Sequence, residues 1–305
     1  MKLGMIGLGK MGGNMTVRLL RAGHDVVVHD LDSAAIARAT VEGASGAVST
    51  EELVAALPAP RVVWIMVPAG APTEATIESL AGVLQPGDVI VDGGNSNYKD
   101  SQRRGATLAA KDIAFVDVGT SGGVWGLKEG YSIMAGGTDE ALGVVRPILE
   151  ALAPTPDTGW GHVGPSGAGH FVKMIHNGVE YGMMQAYAEG FALMERKEEL
   201  ALDLEQVAQI WRHGSVVRSW LLDLTAAALE ENPSLEGIAP WVPDSGEGRW
   251  TVMEAIDLAV SIPVITLALQ QRFRSRDESR FGDKLLSAMR NQFGGHAIKR
   301  SADQP

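Results

Sequence analysis

Apolar residues in the first half of the chain fall into short runs separated by stretches of helical spacing. The runs cover residues 3–7, 25–30, 62–67, 88–92, 114–118 and 132–135. They are rich in Val and Ile, and most are bounded by Gly, Pro or Asp. That length and composition predict strands. The stretches between them, 11–22, 33–42, 71–84, 98–111 and 139–152, repeat apolar residues three and four apart, which predicts helices. The alternation predicts a mainly parallel, doubly wound sheet. After about residue 160 strand-like runs disappear. Helical windows follow at 165–197, 203–213, 215–231, 250–260, 263–276 and 283–291. The expected class is therefore α/β, with a sheet domain over 1–162, an all-helical domain over 163–305 and a junction at 159–165. The 165–197 window is long for a globular helix, long enough to bridge the two domains. Residues 301–305 read as a frayed tail.

Composition narrows the picture. At 305 residues the chain has room for two full cores. No apolar run approaches the roughly 20 residues of a membrane span. The N-terminus leads directly into a strand, Lys2-Leu3-Gly4-Met5-Ile6-Gly7, so no signal peptide is expected. The chain has no cysteine, which excludes disulfides and thiolate chemistry and suits a cytoplasmic location. The net charge of −11 argues against a nucleic-acid partner. An anionic substrate would need a local basic pocket against that field.

The first strand runs into Gly7-Leu8-Gly9-Lys10-Met11-Gly12. G-x-G-x-x-G after a strand and before a helix is the setting of a Rossmann-type dinucleotide site. Gly7 permits the turn, Gly9 lets backbone approach a pyrophosphate, and Gly12 allows close helix packing. Leu8 and Met11 complete the loop. Asp30, about 20 residues on at the end of the second strand, can accept hydrogen bonds from ribose hydroxyls and would repel a 2′-phosphate, which selects NAD. Asp32 or Ser33 is better placed to cap the next helix. Val67 and Pro68, and Asn95 in the Gly93-Gly94-Asn95-Ser96 loop, end later strands and should reach the nicotinamide end.

A second constellation lies in the long helical window. At spacings i, i+3, i+4 and i+7, Lys173, His176, Asn177 and Glu180 share one face among Val172, Met174, Ile175 and Val179. A buried lysine is a base near neutral pH, and a carboxyl two turns away is a second proton-transfer group. No metal-ligand cluster is evident, and none is needed for this chemistry.

The segment Lys173-x-x-His176-Asn177-Gly178-x-Glu180-Tyr181 resembles the active-site helix of the 6-phosphogluconate dehydrogenases, within the β-hydroxyacid dehydrogenase superfamily. Matching motifs are Gly93-Gly94-Asn95-Ser96-Asn97-Tyr98, Ser121-Gly122-Gly123, Gly246-Glu247-Gly248-Arg249-Trp250-Thr251 and Arg290-Asn291-Gln292-Phe293-Gly294-Gly295-His296. The resemblance spans nearly the whole chain. It implies oxidative decarboxylation of 6-phospho-D-gluconate to D-ribulose 5-phosphate and CO2, with Lys173 and Glu180 as the acid–base pair and His176 and Asn177 beside them. It implies that Asn95, Ser121, Gly122, Gly123, His176 and Asn177 hold the sugar-acid end. Tyr181, Arg249 and Arg274 would hold the phosphate, with the choice among Arg272, Arg274 and Arg276 left open. Arg290 and His296 would enter a neighbouring subunit's site, so a homodimer or homotetramer is expected. The chain departs from the long form of the family in its length. It also has Asp30-Leu31 where NADP-dependent relatives carry Asn-Arg, and Arg249 for lysine. Two alternatives stay open: a dehydrogenase of a smaller acid such as 3-hydroxyisobutyrate, and a non-catalytic dinucleotide-binding protein.

Overall fold

The computed structural model describes residues 1–300; the expected frayed tail at 301–305 lies outside the described residues. The chain divides into two compact units, Met1–Gly178 and Val179–Pro305.

The first unit contains β1 (Lys2–Ile6), α1 (Lys10–Arg21), β2 (Asp25–His29), α2 (Ser33–Val41), β3 (Ser45–Gly46), α3 (Thr50–Ala55), β4 (Val62–Ile65), α4 (Ala71–Val83) and β5 (Val89–Asp92). There follow α5 (Tyr98–Ala109), β6 (Ala114–Ser121), α6 (Gly126–Glu129), β7 (Ser132–Gly136), α7 (Asp139–Leu152), β8 (Trp160–Gly164) and the start of α8 (Ala168–Glu195). All the strands join one sheet in the order β3-β2-β1-β4-β5-β6-β7-β8. Neighbours run parallel except β6 and β7. Alternate residues of the central strands feed two cores. Leu3, Met5, Val62 and Trp64 point into one, and Ile6, Val63, Ile65 and Ile90 into the other. Burial on both faces explains why these strands read as continuous apolar runs.

Four elements of the first unit depart from the sequence reading, the four-residue α6 among them. The expected junction at 159–165 contains a strand, β8, paired with β7. Its Trp-Gly-His-Val-Gly composition has no period, so the pairing comes from its neighbour and not from local preference. β3 is two residues long and too short to show a pattern. α3 was missed although Ser49 caps it: Glu52 N donates to Ser49 Oγ (3.2 Å), and Val48 N, just before the cap, donates to Glu52 Oε2 (2.7 Å).

The second unit is helical. It holds the rest of α8, α9 (Leu204–Trp211), α10 (Trp220–Glu231), α11 (Glu247–Asp257), α12 (Pro263–Ser275) and α13 (Phe281–Gly294). Asp203 and Ser219 cap α9 and α10, and Pro263 opens α12. Two small clusters form its interior. Phe191, Ala208, Leu222, Ala226 and Leu229 make one, and Tyr181, Ala268 and Leu269 the other. Met253, Ile256, Val264, Leu267, Phe281 and Leu286 on α11–α13 stand exposed. Among the described residues no helix is long and apolar enough to cross a membrane.

Candidate active site

The glycine loop between β1 and α1 has the shape of a dinucleotide cradle. Gly7 has φ +93°, and a Cβ there would lie 2.6 Å from Met66 O. A Cβ on Gly12 would come within 2.0 Å of Gly7 O, so α1 can pack there only through glycine. Gly9 faces open space, with nothing within 4 Å of a built Cβ. α1 starts without a side-chain cap or an acid in its first turn, which leaves its N–H groups and dipole to an anion. Leu8 is buried in this loop and Met11 half-buried on α1.

Asp30 binds this loop directly. Its Oδ2 accepts from Leu8 N at 2.5 Å and its Oδ1 from Asp32 N at 2.8 Å. The cap of α2 is Asp32, which accepts from Ala34 N at 2.9 Å. Each Asp30 oxygen keeps a lone pair for a ribose hydroxyl. These features fit a bound dinucleotide.

The loops after β4 and β5 are braced from behind. Val67 is half-buried and Pro68 exposed, and Thr73 Oγ1 donates to Pro68 O (2.9 Å). Asn95 is exposed at the tip of its loop. Beneath it the fully buried Asp92 accepts from Gly94 N (3.1 Å) and Ser96 Oγ (2.7 Å). Arg104 joins Asp92 (3.3 Å) to Glu74 (2.9 Å), and Arg103 grips Glu74 with two further bonds. The hydrogen bond from Arg103, backed by Arg104, holds the Glu74 carboxyl down to about 2.

The first unit brings Lys173, His176 and Asn177 together on α8. Lys173 and Asn177 are buried, at 7% and 8% exposure. Lys173 Nζ donates to Asn177 Oδ1 at 2.7 Å, and His176 Nδ1 lies 3.0 Å from the same oxygen and 3.5 Å from Nζ. The root of Lys173 rests on β6, where a Cβ on Gly119 would come within 2.3 Å of Lys173 Cβ. β6 continues into Ser121, Gly122 (φ +130°) and Gly123 (φ +52°), positive angles that suit glycine. Glu180, half-buried, follows two turns along α8 and falls in the second unit.

In the second unit Tyr181 OH accepts from Ser245 N at 3.0 Å and lies 3.3 Å from Ser245 Oγ. The Arg272 guanidinium stacks over the Tyr181 ring at 3.5 Å. Arg249 forks onto Asp244 (2.8 and 3.0 Å), and Arg276 reaches the same carboxylate at 2.6 Å. Arg249, then Arg276, holds Asp244 well below the usual carboxylate range. Arg274 instead pairs with Asp283 at 3.2 Å. Arg290 is exposed on α13 and His296 is exposed just beyond it, with Asn291 Nδ2 donating to His296 O (2.9 Å). Sequence reasoning missed Asp244 and Ser245. Their signal was an acid and a hydroxyl just before a helix start, beside the motif already noted at 246–251.

The chain matches the NAD binding domain of 6-phosphogluconate dehydrogenase over residues 2–163 and the C-terminal domain of 6-phosphogluconate dehydrogenase over 169–281 and 195–304. It belongs to the 6-phosphogluconate dehydrogenase family. A decarboxylating, NAD(+)-dependent 6-phosphogluconate dehydrogenase of Haloferax volcanii is 45% identical over 304 residues, covering 99% of this chain and 100% of that one. The 6-phosphogluconate dehydrogenase of Plasmodium falciparum superposes with a TM-score of 0.83 at 29% identity, covering 100% of this chain and 67% of that one. A 3-hydroxyisobutyrate dehydrogenase of Mycobacterium tuberculosis shares the fold at 23% identity and a TM-score of 0.74, over 91% of this chain and 94% of that one. Membership of this family accounts for a Rossmann-type domain followed by a helical one.

Proposed function

We propose that this protein oxidises and decarboxylates 6-phospho-D-gluconate to D-ribulose 5-phosphate and CO2, with NAD as its cofactor. The observation that carries the reading is the buried Lys173 amine, held on Asn177 beside His176 on the helix that also bears Glu180. The end-to-end similarity to a relative named as the NAD-dependent, decarboxylating enzyme supports it. Gly7, Gly9, Gly12 and the α1 N-terminus would hold the pyrophosphate, Asp30 the adenosine ribose, and Val67, Pro68 and Asn95 the nicotinamide end. Bound NAD supplies the acceptor for the hydride leaving C3.

Burial favours a neutral Lys173 amine. It takes the C3 hydroxyl proton as the hydride departs. The 3-keto acid then loses its carboxylate as CO2, and the electrons of the C1–C2 bond pass into an enediolate. The Lys173 ammonium stabilises that oxygen. Glu180 delivers a proton to the carbon that becomes C1 of the pentulose. Ser121, Gly122, Gly123, Asn95, His176 and Asn177 orient the sugar acid.

Tyr181 and Arg249 take the phosphate. Arg272 joins Arg274 as a candidate third member, because it stacks on Tyr181. These arginines supply the local positive field that a chain of net charge −11 needs. A second copy of the chain completes the site with Arg290 and His296. The exposed apolar residues of α11–α13 support such an association. The cysteine-free composition suits a cytoplasmic enzyme.

The test is absorbance of reduced cofactor on adding 6-phosphogluconate or 3-hydroxyisobutyrate, with NAD or NADP at matched concentrations. Turnover with 6-phosphogluconate and NAD is expected. Turnover of the small acid alone would transfer the reading to the wider superfamily. Cofactor binding without turnover would leave a non-catalytic binder.

A further inference from the structure

We infer that Asp117 and Gly119 of β6 form a seat that positions Lys173, a role distinct from contact with substrate or cofactor. The inference rests on the assignment of Lys173 as the proton acceptor. Asp117 is fully buried in the middle of the sheet. Its Oδ1 accepts from Gly167 N at 2.6 Å and its Oδ2 from His170 N at 2.8 Å. The carboxylate thus satisfies two N–H groups that the first turn of α8 leaves without a helical partner. A negative group there also complements the helix dipole.

Three glycines let the helix lie directly on strand backbone. A Cβ on Gly169 would stand 2.3 Å from Asp117 O and 2.5 Å from Met134 O. One on Gly136 would stand 2.6 Å from Asp117 Oδ1, in the space the carboxylate occupies. One on Gly119 would meet Lys173 Cβ at 2.3 Å and Gly169 O at 2.7 Å. Residues 117 and 119 lie on one face of β6. They grip α8 at its first turn and at Lys173, one turn further on. Two contacts on one rigid strand fix both the height and the rotation of the helix. His170 adds a lateral tie, with Nδ1 2.7 Å from Ser101 Oγ on α5. The same strand continues to Ser121, so the amine and the loop proposed to hold the sugar acid share one ruler.

Steady-state kinetics of the full-length chain test the seat. Gly119→Ala must lift α8, and Asp117→Asn removes one acceptor with little change of shape. Each should lower kcat by roughly 10- to 100-fold, as expected for a misplacement near 1 Å. The affinity for NADH, read by its fluorescence, should change by less than about twofold, because the cofactor loop is untouched. In a Lys173→Met background neither substitution should lower the residual rate further, since both act through that amine. A purely structural role would lower the thermal midpoint without this dependence on Lys173. Either of two results overturns the seat: a folded Gly119→Ala enzyme with near-normal kcat, or an equal loss in the Lys173→Met background. If Gly119→Ala does not fold, Asp117→Asn decides by the same two criteria. An unmodified enzyme idle on 6-phosphogluconate, by contrast, would overturn the functional reading and the seat's role with it.

Discussion

The Lys173 amine is held by its neighbours on α8. Asn177 accepts from it at 2.7 Å, and His176 Nδ1 lies 3.5 Å from it. Lys173→Met should therefore cut both the redox and the decarboxylation steps to a small residual rate, measured as NADH and ribulose 5-phosphate formed. Near-normal turnover would refute the assignment. Glu180→Gln should slow pentulose formation by roughly 10²- to 10⁴-fold, the usual range for a lost proton-transfer group. The first hydride transfer, followed in a single turnover, should survive. Asp30 already braces the glycine loop through Leu8 N, and in the proposed reading it would also hold the ribose. Asp30→Ala should raise the KM for NAD at least about tenfold without creating good use of NADP, because the loop loses its brace. Initial rates with both cofactors would show this, and an NADP rate overtaking the NAD rate would argue that Asp30 acts by charge alone.

Elements separate what was legible in the sequence from what was not. Lys173, His176, Asn177 and Glu180 were legible because a helix converts spacing into a face. Gly7, Gly9 and Gly12 were legible because their spacing falls between a strand and a helix, although only Gly7 and Gly12 meet a steric demand in the structure. Asp117, Ser101 and Arg104 were not, since their partners lie far away in sequence and no periodicity announces them. The Arg272–Tyr181 stack depends on how two helices of one unit meet, which no spacing in the sequence announces. The clamp of Glu74 on α4 to Arg103 and Arg104 on α5 is another tertiary feature, and it carries a pH signature. Its carboxyl is depressed from 4.5 to about 2, first by the Arg103 hydrogen bond. A carboxyl lowered by folding contributes stability in full above its ordinary value and loses it as pH falls from there toward the folded value. Glu74→Gln should therefore lower the thermal midpoint at pH 7, and the gap to the unmodified chain should close as pH falls from about 4.5 toward 2. A gap that stays constant across that window would mean that the clamp acts by shape and not by charge.

At the scale of the whole molecule, the proposed second copy follows from two unrelated observations. Large apolar side chains on α11–α13 stand in water, including Ile256 at 73% and Phe281 at 68% exposure. Arg290 and His296 are exposed, although a phosphate site in an acidic chain needs every available cation. If a neighbour's tail completes each site, two inactive chains should repair one another. A Lys173→Met chain has a sound tail but no base; an Arg290→Ala chain has a sound base but a defective tail. In a mixed pair, the Lys173 of one chain meets the Arg290 of the other, and one of two sites is whole. Random reassembly of a dimer makes half the pairs mixed, so activity should recover to about one quarter of the unmodified level. The two parents measured separately should stay low. Mixing after mild dissociation, with the subunit exchange checked by mass, gives the test. Exchange without recovery would mean that each tail serves its own chain, or no site at all, and the exposed helices would then need another explanation.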